Sequence, residues 1–65
     1  RRRSDAEAKE AICRLAGVDH CQQLCDMERE SRRYVLGRLR ASGLSIRQIA
    51  RLTGLNRNTV ERARE

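Results

Sequence analysis

Apolar residues recur at helical spacing near the start of this chain. In residues 5–16 they stand three or four positions apart, as on the buried face of an amphipathic helix. Ser4 followed by Glu7 has the pattern of a capping box, in which each side chain accepts a hydrogen bond from the other's backbone N–H. Gly17 supplies a left-handed stop. The positions predicted on the buried face are Ala8, Ala11, Ile12, Leu15 and Ala16.

Two further helices are predicted before the last third of the chain. Asp19 with Gln22 has the pattern of a second capping box and would open a short helix. After a turn around Asp26, a longer helix runs from about residue 28 to 42 and ends at Gly43. The core positions of this longer helix are Val35, Leu36 and Leu39.

A short helix with strong local signals is predicted next. Ser45 with Gln48 forms another capping box. Leu44 and Ile49 stand just outside and just inside that cap, the spacing of a hydrophobic staple that fixes how the chain enters a helix. Gly54 ends the helix within a few turns.

The chain then restarts a helix almost at once. Asn56 is a good N-cap for a helix over residues 57–64, and Leu55 with Val60 repeats the staple spacing. Such closely spaced caps predict a definite angle between two short helices. We therefore expect an all-α fold, a small four- to five-helix bundle with a C-terminal helix-turn-helix, in which residues 5–65 form the domain and residues 1–4 are a linker or basic arm.

Composition narrows the possible functions. The 65 residues include no Phe, Trp or Pro, and Tyr34 is the single aromatic, so the core must be aliphatic. A chain of this length buries only about 60% of its unfolded surface, which leaves little material to enclose a catalytic pocket. One His, one Tyr and no clustered carboxylates in the basic half offer no catalytic set. We expect a binding surface, no enzyme activity and no cofactor.

Charge is distributed unevenly along the chain. Residues 4–30 hold three basic and seven acidic residues, whereas residues 31–64 hold nine Arg and one acid, Glu61. Such a gradient orients one face towards a polyanion. A guanidinium suits phosphate and guanine through two parallel hydrogen bonds, which an ammonium cannot reproduce. An arginine-rich helical surface that only confers solubility is the alternative.

The three cysteines do not indicate a disulfide framework, because their number is odd. Cys21 and Cys25 stand one helical turn apart beside His20, and Cys13 could complete a zinc site from another helix. None of the established two-residue ligand spacings is present, however. We expect no metal and interpret the cysteines as small packing residues.

The stretch "SIRQIARLTGLNRNTVERA" resembles a helix-turn-helix DNA-binding motif. Ala50, Gly54 and Val60 stand at the spacing that this motif requires, with a small residue at the helix contact and a glycine in the turn. The amino-acid sequence of this stretch is most similar to the helix-turn-helix of bacterial transposases and resolvases. The resemblance covers residues 44–65, and it implies that the second helix enters the major groove of double-stranded DNA.

A weaker resemblance covers nearly the whole chain. The order of helices is similar to the DNA-binding domain of the bacterial replication initiator DnaA and to the Trp repressor superfamily, whose relatives also occur as tails on transposases. The initiator's Asp-His-Thr-Thr signature is replaced here by residues 56–59, Asn-Arg-Asn-Thr. We therefore expect the chain to share the helical scaffold of that domain, but we do not expect it to recognise the initiator's own DNA site.

These resemblances assign roles to particular side chains. The outward side of the helix over residues 57–64 would read base edges, while arginines elsewhere would hold the phosphate backbone. Glu61 would accept from a cytosine amino group, or pair with Arg57 or Arg64. The predicted base-reading residues are Asn56, Arg57, Asn58, Thr59, Glu61 and Arg62. The predicted phosphate-binding residues are Arg29, Arg32, Arg33, Arg47 and Arg51.

Other partners stay open at this point. The basic face could meet an acidic protein, a second copy of the chain or structured RNA, although a single-strand stacking surface needs aromatics that are absent. No apolar run approaches the roughly 20 residues of a membrane span, so no membrane is expected. The missing initiator Met suggests a segment of a longer protein, such as the targeting module of a transposase on the bacterial nucleoid in the cytoplasm.

Overall fold

The computed structural model describes residues 3–63, and all regular structure within that range is helical, as the sequence predicts. A short 3₁₀ helix separates the first two of four α-helices. The elements are α1 (Asp5–Ala16), the 3₁₀ helix (Cys21–Asp26), α2 (Arg29–Ala41), α3 (Ile46–Thr53) and α4 (Arg57–Arg62). No helix within residues 3–63 is long and apolar enough to cross a membrane.

One aliphatic core joins all five elements. Ile12 of α1, Leu24 of the 3₁₀ helix and Ile49 of α3 have no exposed surface, and Val60 of α4 is equally buried. α1 packs on α2 and α3, and the 3₁₀ helix also packs on α3. The two C-terminal helices are therefore held by the rest of the chain. The buried apolar residues are Ala8, Ile12, Cys21, Leu24, Val35, Leu36, Leu39, Leu44, Ile49, Ala50, Val60 and Ala63.

Most of the predicted caps are confirmed. Ser4 and Glu7 form the full capping box of α1, with hydrogen bonds of 3.0 and 3.2 Å. Gly17 ends α1 in the left-handed region at φ 71°. A further cap, which the sequence analysis did not identify, is Glu28: its side chain accepts from the backbone N–H of Ser31, and that bond lowers the pKa of the Glu28 carboxyl. Local sequence therefore sets where these helices begin and end.

Three predicted details are wrong. The side chain of Gln23, rather than Gln22, returns to the backbone before the 3₁₀ helix, accepting from the N–H groups of Asp19 and His20. Leu15, placed on the buried face, is 38% exposed because it lies at the edge of the contact between α1 and α2. α4 ends at Arg62, and residue 64 lies outside the described residues.

The predicted box at the start of α3 is only half formed. The Ser45 hydroxyl accepts from the backbone N–H of Gln48, as expected. The Gln48 amide does not return to Ser45; it donates instead to the Arg3 carbonyl and to the carboxylate of Asp5, at 2.9 and 3.2 Å. A carboxylate on α1 is a stronger acceptor than solvent, and it draws this side chain across the interface.

Candidate nucleic-acid interface

The turn between α3 and α4 is built from residues 53–56. Gly54 takes the left-handed conformation at φ 82° and its N–H donates to the carbonyl of Ala50. Thr53 is completely buried, and its hydroxyl donates to the Ile49 carbonyl at 2.7 Å while accepting from the N–H of Leu55 at 3.2 Å. One hydroxyl thus satisfies a backbone group on each side of the glycine and fixes the turn.

Two hydrophobic staples were predicted around this turn, and the burial of their residues agrees with both. Leu44 and Ile49 are buried, as is Val60, while Leu55 is half-buried against the core. Together they close the inner side of the two short helices. Only the opposite side of α4 is left to meet another molecule.

The far end of α4 is fastened by α2. Nη1 of Arg40 donates to the Glu61 carbonyl at 2.8 Å and to the Ala63 carbonyl at 3.4 Å. Carbonyls at the end of a helix have no partner within it, and they carry the negative end of the helix dipole. Arg40 therefore completes a helix too short to be stable alone.

The residues on the outward side of α4 lie where the sequence predicted them. Val60 and Ala63 are buried, Thr59 is half-buried, and the remaining side chains of the helix are exposed. An open groove, here called the α4 groove, brings four of the predicted base-reading residues together beside α3. The α4 groove is lined by Ile46, Asn56, Arg57, Asn58 and Glu61.

Asn56 begins α4 and also faces this groove. Its Oδ1 accepts from the backbone N–H of Asn58 at 2.7 Å, so the predicted N-cap is confirmed. Because that bond turns the carbonyl oxygen towards the helix, the Nδ2 donors are the part of Asn56 left for a ligand. The side chain of Asn58 makes no hydrogen bond within residues 3–63, and both its donor and its acceptor are available.

The arginines fall into two groups. Arg32 donates to the Cys25 carbonyl at 3.4 Å, and Arg51 forms a bidentate ion pair with Asp5 at 2.9 and 3.0 Å. The other predicted DNA-contacting arginines are exposed and have no hydrogen-bond or ion-pair partner among residues 3–63. These unpartnered arginines are Arg29, Arg33, Arg47, Arg57 and Arg62.

The Asp5–Arg51 pair connects the first turn of α1 with the last turn of α3. Hydrogen bonds from Gln48 and then from Arg51 hold the pKa of the Asp5 carboxyl below its usual value. Both side chains of the ion pair are about half exposed, so the pair is a surface clamp rather than a buried one. Glu61 forms no ion pair with Arg57, and its predicted alternative partner, Arg64, lies outside the described residues.

Three contributors to this geometry were missed by the sequence analysis. Arg40 was not distinguished from its neighbours, Thr53 was assigned no role, and Asp5 was not connected with Arg51. A threonine just before the turn glycine is a local signal that could have been used. The other two contacts join positions 21 and 46 residues apart, for which single-sequence patterns hold no signal.

The three cysteines lie in two places. Cys25 is exposed and its thiol reaches the Thr53 carbonyl, with 3.4 Å between sulfur and oxygen. Cys13 and Cys21 lie together between α1 and the 3₁₀ helix. Within residues 3–63 no three His, Cys, Asp or Glu side chains are grouped closely enough to hold a metal ion.

Comparison with known proteins agrees with the geometry of the C-terminal half. A family model described as a homeodomain-like domain of the helix-turn-helix type matches residues 27–65. Neither a search of curated proteins nor a search of solved structures found a match. The matched segment includes α2, α3 and α4, the three helices that build and fasten the turn. The chain belongs to the homeodomain-like family of helix-turn-helix domains.

Proposed function

We propose that this domain binds double-stranded DNA in a sequence-specific manner, with α4 lying in the major groove. One observation carries the proposal: the first turn of α4 presents Arg57 and Asn58 side by side on an open groove, both without partners in the described chain. The major groove of B-DNA admits a helix, and the N-terminal residues of a recognition helix reach the base edges. Membership of a helix-turn-helix family supports the same function.

The two side chains would divide the reading between them. The guanidinium of Arg57 can donate to O6 and N7 of guanine, and the amide of Asn58 can bind N6 and N7 of adenine. The Nδ2 group of Asn56 adds a single donor beside them. Thr59, half-buried, would meet a thymine methyl or a phosphate, while Glu61 and Arg62 lie further along the exposed side.

The best candidates for phosphate contacts are arginines without a partner in the described chain, because they lose no hydrogen bond or ion pair when they bind. Arg29 and Arg33 are exposed on α2, and Arg47 is exposed on α3, where it follows the groove residue Ile46 in the sequence. Arg32 can bind a phosphate with the nitrogens that its bond to Cys25 leaves free. Arg51 would have to exchange Asp5 for a phosphate, and it is the weakest candidate in this set.

We also propose a setting for this activity. The similarity of "SIRQIARLTGLNRNTVERA" to the helix-turn-helix of transposases supports a targeting module of a transposase, or a related regulator, in the bacterial cytoplasm. The catalytic chemistry of such a transposase would lie outside these 65 residues. We further propose that the arrangement of helices is related to that of the Trp repressor and DnaA DNA-binding domains.

Selection from a library of random duplexes tests the proposal directly. Repeated capture by the purified domain, followed by sequencing, should enrich one short motif. Arg57→Ala, carried through the same selection, should enrich that motif weakly or lose the preference at one base pair. If the parent domain retains all duplexes alike at every salt concentration, sequence-specific binding is excluded.

A further inference from the structure

Two thiols meet at the junction of α1 and the 3₁₀ helix. The sulfur atoms of Cys13 and Cys21 are 4.0 Å apart, and both thiols are free. Cys13 lies in the last turn of α1, and Cys21 is the first residue of the 3₁₀ helix. The backbone between them reverses direction at Gly17, whose left-handed conformation brings the two ends together.

We propose that Cys13 and Cys21 are an oxidation site, which a peroxide converts into a reversible intramolecular disulfide. A disulfide needs sulfurs about 2.05 Å apart, so the two must close a gap of about 2 Å. The proposal requires rotations of the two side chains and small shifts of the helix ends to close that gap. The bond would occupy no residue of the α4 groove, because neither cysteine lines it.

Within the Cys13–Cys21 pair, exposure sets the order of reaction. Cys13 is half-buried while Cys21 is 5% exposed, so the peroxide reaches Cys13 first. The Cys13 thiolate attacks one peroxide oxygen and forms a sulfenic acid; the other oxygen leaves as hydroxide, which takes up the proton that the thiol lost and becomes water. The Cys21 sulfur then attacks the Cys13 sulfur and displaces a second water. Two thiols and one hydrogen peroxide thus become one disulfide and two waters, and the peroxide accepts both electrons.

The position of Cys21, rather than the acidity of its thiol, assigns it to the second of these steps. Burial, followed by the hydrogen bond with Cys13, raises the pKa of the Cys21 thiol, so this thiol is a poor first target for an oxidant. Once Cys13 is oxidised, however, its sulfur is the electrophile closest to Cys21. The sulfenic acid is consumed by an internal partner before it can be oxidised further.

Cys25 supplies a control within the same chain. It belongs to the same 3₁₀ helix and is exposed, but its thiol is directed at the Thr53 carbonyl on α3. If exposure alone decided which cysteine is oxidised, Cys25 would react first and would form adducts or link two molecules. If the position of the neighbouring sulfur decides, Cys25 stays outside the disulfide.

Mass spectrometry distinguishes these outcomes. The reduced domain is treated with hydrogen peroxide, blocked with an alkylating agent and digested with trypsin without reduction. The expected product has lost two hydrogens and joins peptide 10–14, which holds Cys13, to peptide 15–29. Cys25→Ser should give the same linked peptide, and a reductant should release it. Cys13→Ser should give no intramolecular bond.

Thermal melting gives a second readout. The bond would join α1 to the helix beneath α3, and closing even a short loop should raise the Tm of the oxidised parent and of Cys25→Ser by about 5–10 °C. Addition of dithiothreitol should reverse the rise. A disulfide contained within peptide 15–29, a bond between molecules, or a pair that stays reduced while Cys25 is oxidised would each overturn the proposal.

Discussion

Nη1 of Arg40 lies 2.8 Å from the carbonyl oxygen of Glu61 and donates a hydrogen bond to it across the contact between α2 and α4. This bond, with a second one to the Ala63 carbonyl, ends the helix that presents the α4 groove. The placement of the proposed recognition helix therefore depends on a residue that lines no part of its groove.

We expect Arg40→Ala to destabilise the domain by about 1–2 kcal/mol, because charged hydrogen bonds to the two helix-end carbonyls are lost. Arg33→Ala, on the same helix and without a partner in the described residues, should change stability by less than about 0.5 kcal/mol. Urea denaturation followed by circular dichroism measures both. Equal stability of the two variants would show that Arg40 does not hold α4.

Thr53 should matter through its hydroxyl rather than its volume. Thr53→Val keeps the shape but leaves the N–H of Leu55 without its acceptor, which should cost about 1–3 kcal/mol. Thr53→Ser keeps the hydroxyl, loses one methyl group and should cost about 1 kcal/mol. Hydrogen exchange of the Leu55 amide should accelerate in the Val variant more than in the Ser variant. The reverse order would mean that packing, not the hydrogen bonds, fixes the turn.

A side chain at Gly54 should destabilise the domain through backbone strain and not through a clash with neighbouring atoms. A Cβ there would meet no atom within 4 Å, yet the φ of 82° lies where β-branched residues are strained. Gly54→Val should therefore destabilise the domain by about 1–2 kcal/mol, and Gly54→Asn by clearly less, because Asn tolerates this region. Thermal melts of the two variants measure the difference. Identical melting temperatures would mean that the turn relaxes to another conformation.

The sequence predicted the features that depend on near neighbours. The caps at Ser4, Ser45 and Asn56 join residues two or three positions apart, and such spacing is visible in one sequence. Gly54 was recognisable because few residues besides glycine accept its conformation. The all-α class and the helix-turn-helix followed from these local signals together with helical periodicity.

Contacts between distant parts of the chain could not be predicted in the same way. Gln48 fits a local capping box, but the folded chain offers it the Asp5 carboxylate, and the long-range bond wins. Arg51 was predicted to bind phosphate as one of the arginines outside the recognition helix, and no local sequence pattern indicated its ion pair with Asp5. The tertiary structure decides which arginines remain available to a ligand. The pattern of a single sequence therefore does not identify them.

The Asp5 clamp makes stability depend on pH. In the folded state the pKa of the Asp5 carboxyl lies below the usual 3.8. The ion pair with Arg51 therefore contributes its full stabilisation above the usual carboxyl pKa, and this stabilisation is lost as the pH falls through the lowered pKa. Asp5→Asn should therefore lose less stability than the parent between about pH 5 and pH 2. Asp19→Asn is the control, because the Asp19 carboxylate accepts no hydrogen bond within residues 3–63. Parallel curves for the parent and Asp5→Asn would contradict the clamp.

The sharpest prediction separates base reading from charge attraction, and it uses substitutions that keep the charge. Arg57→Lys retains a cation but loses the two parallel donors that match guanine, so affinity for the selected duplex should fall by about 1–3 kcal/mol. Affinity for random duplex should change little. Arg33→Lys, at a proposed phosphate contact, should leave the ratio of the two affinities unchanged. Asn58→Ala should lower that ratio as Arg57→Lys does.

Charge removal completes the test across a salt series. Arg33→Ala should weaken binding to both duplexes alike and reduce the slope of log affinity against log salt by about one unit. Arg57→Ala should lower the ratio of specific to random affinity, because the lost contact is to a base. If Arg57→Lys matches the parent on every duplex, and both alanine variants change only the slope, the arginines act as interchangeable charges. The basic face would then be a surface for an acidic partner, and α4 would not read DNA.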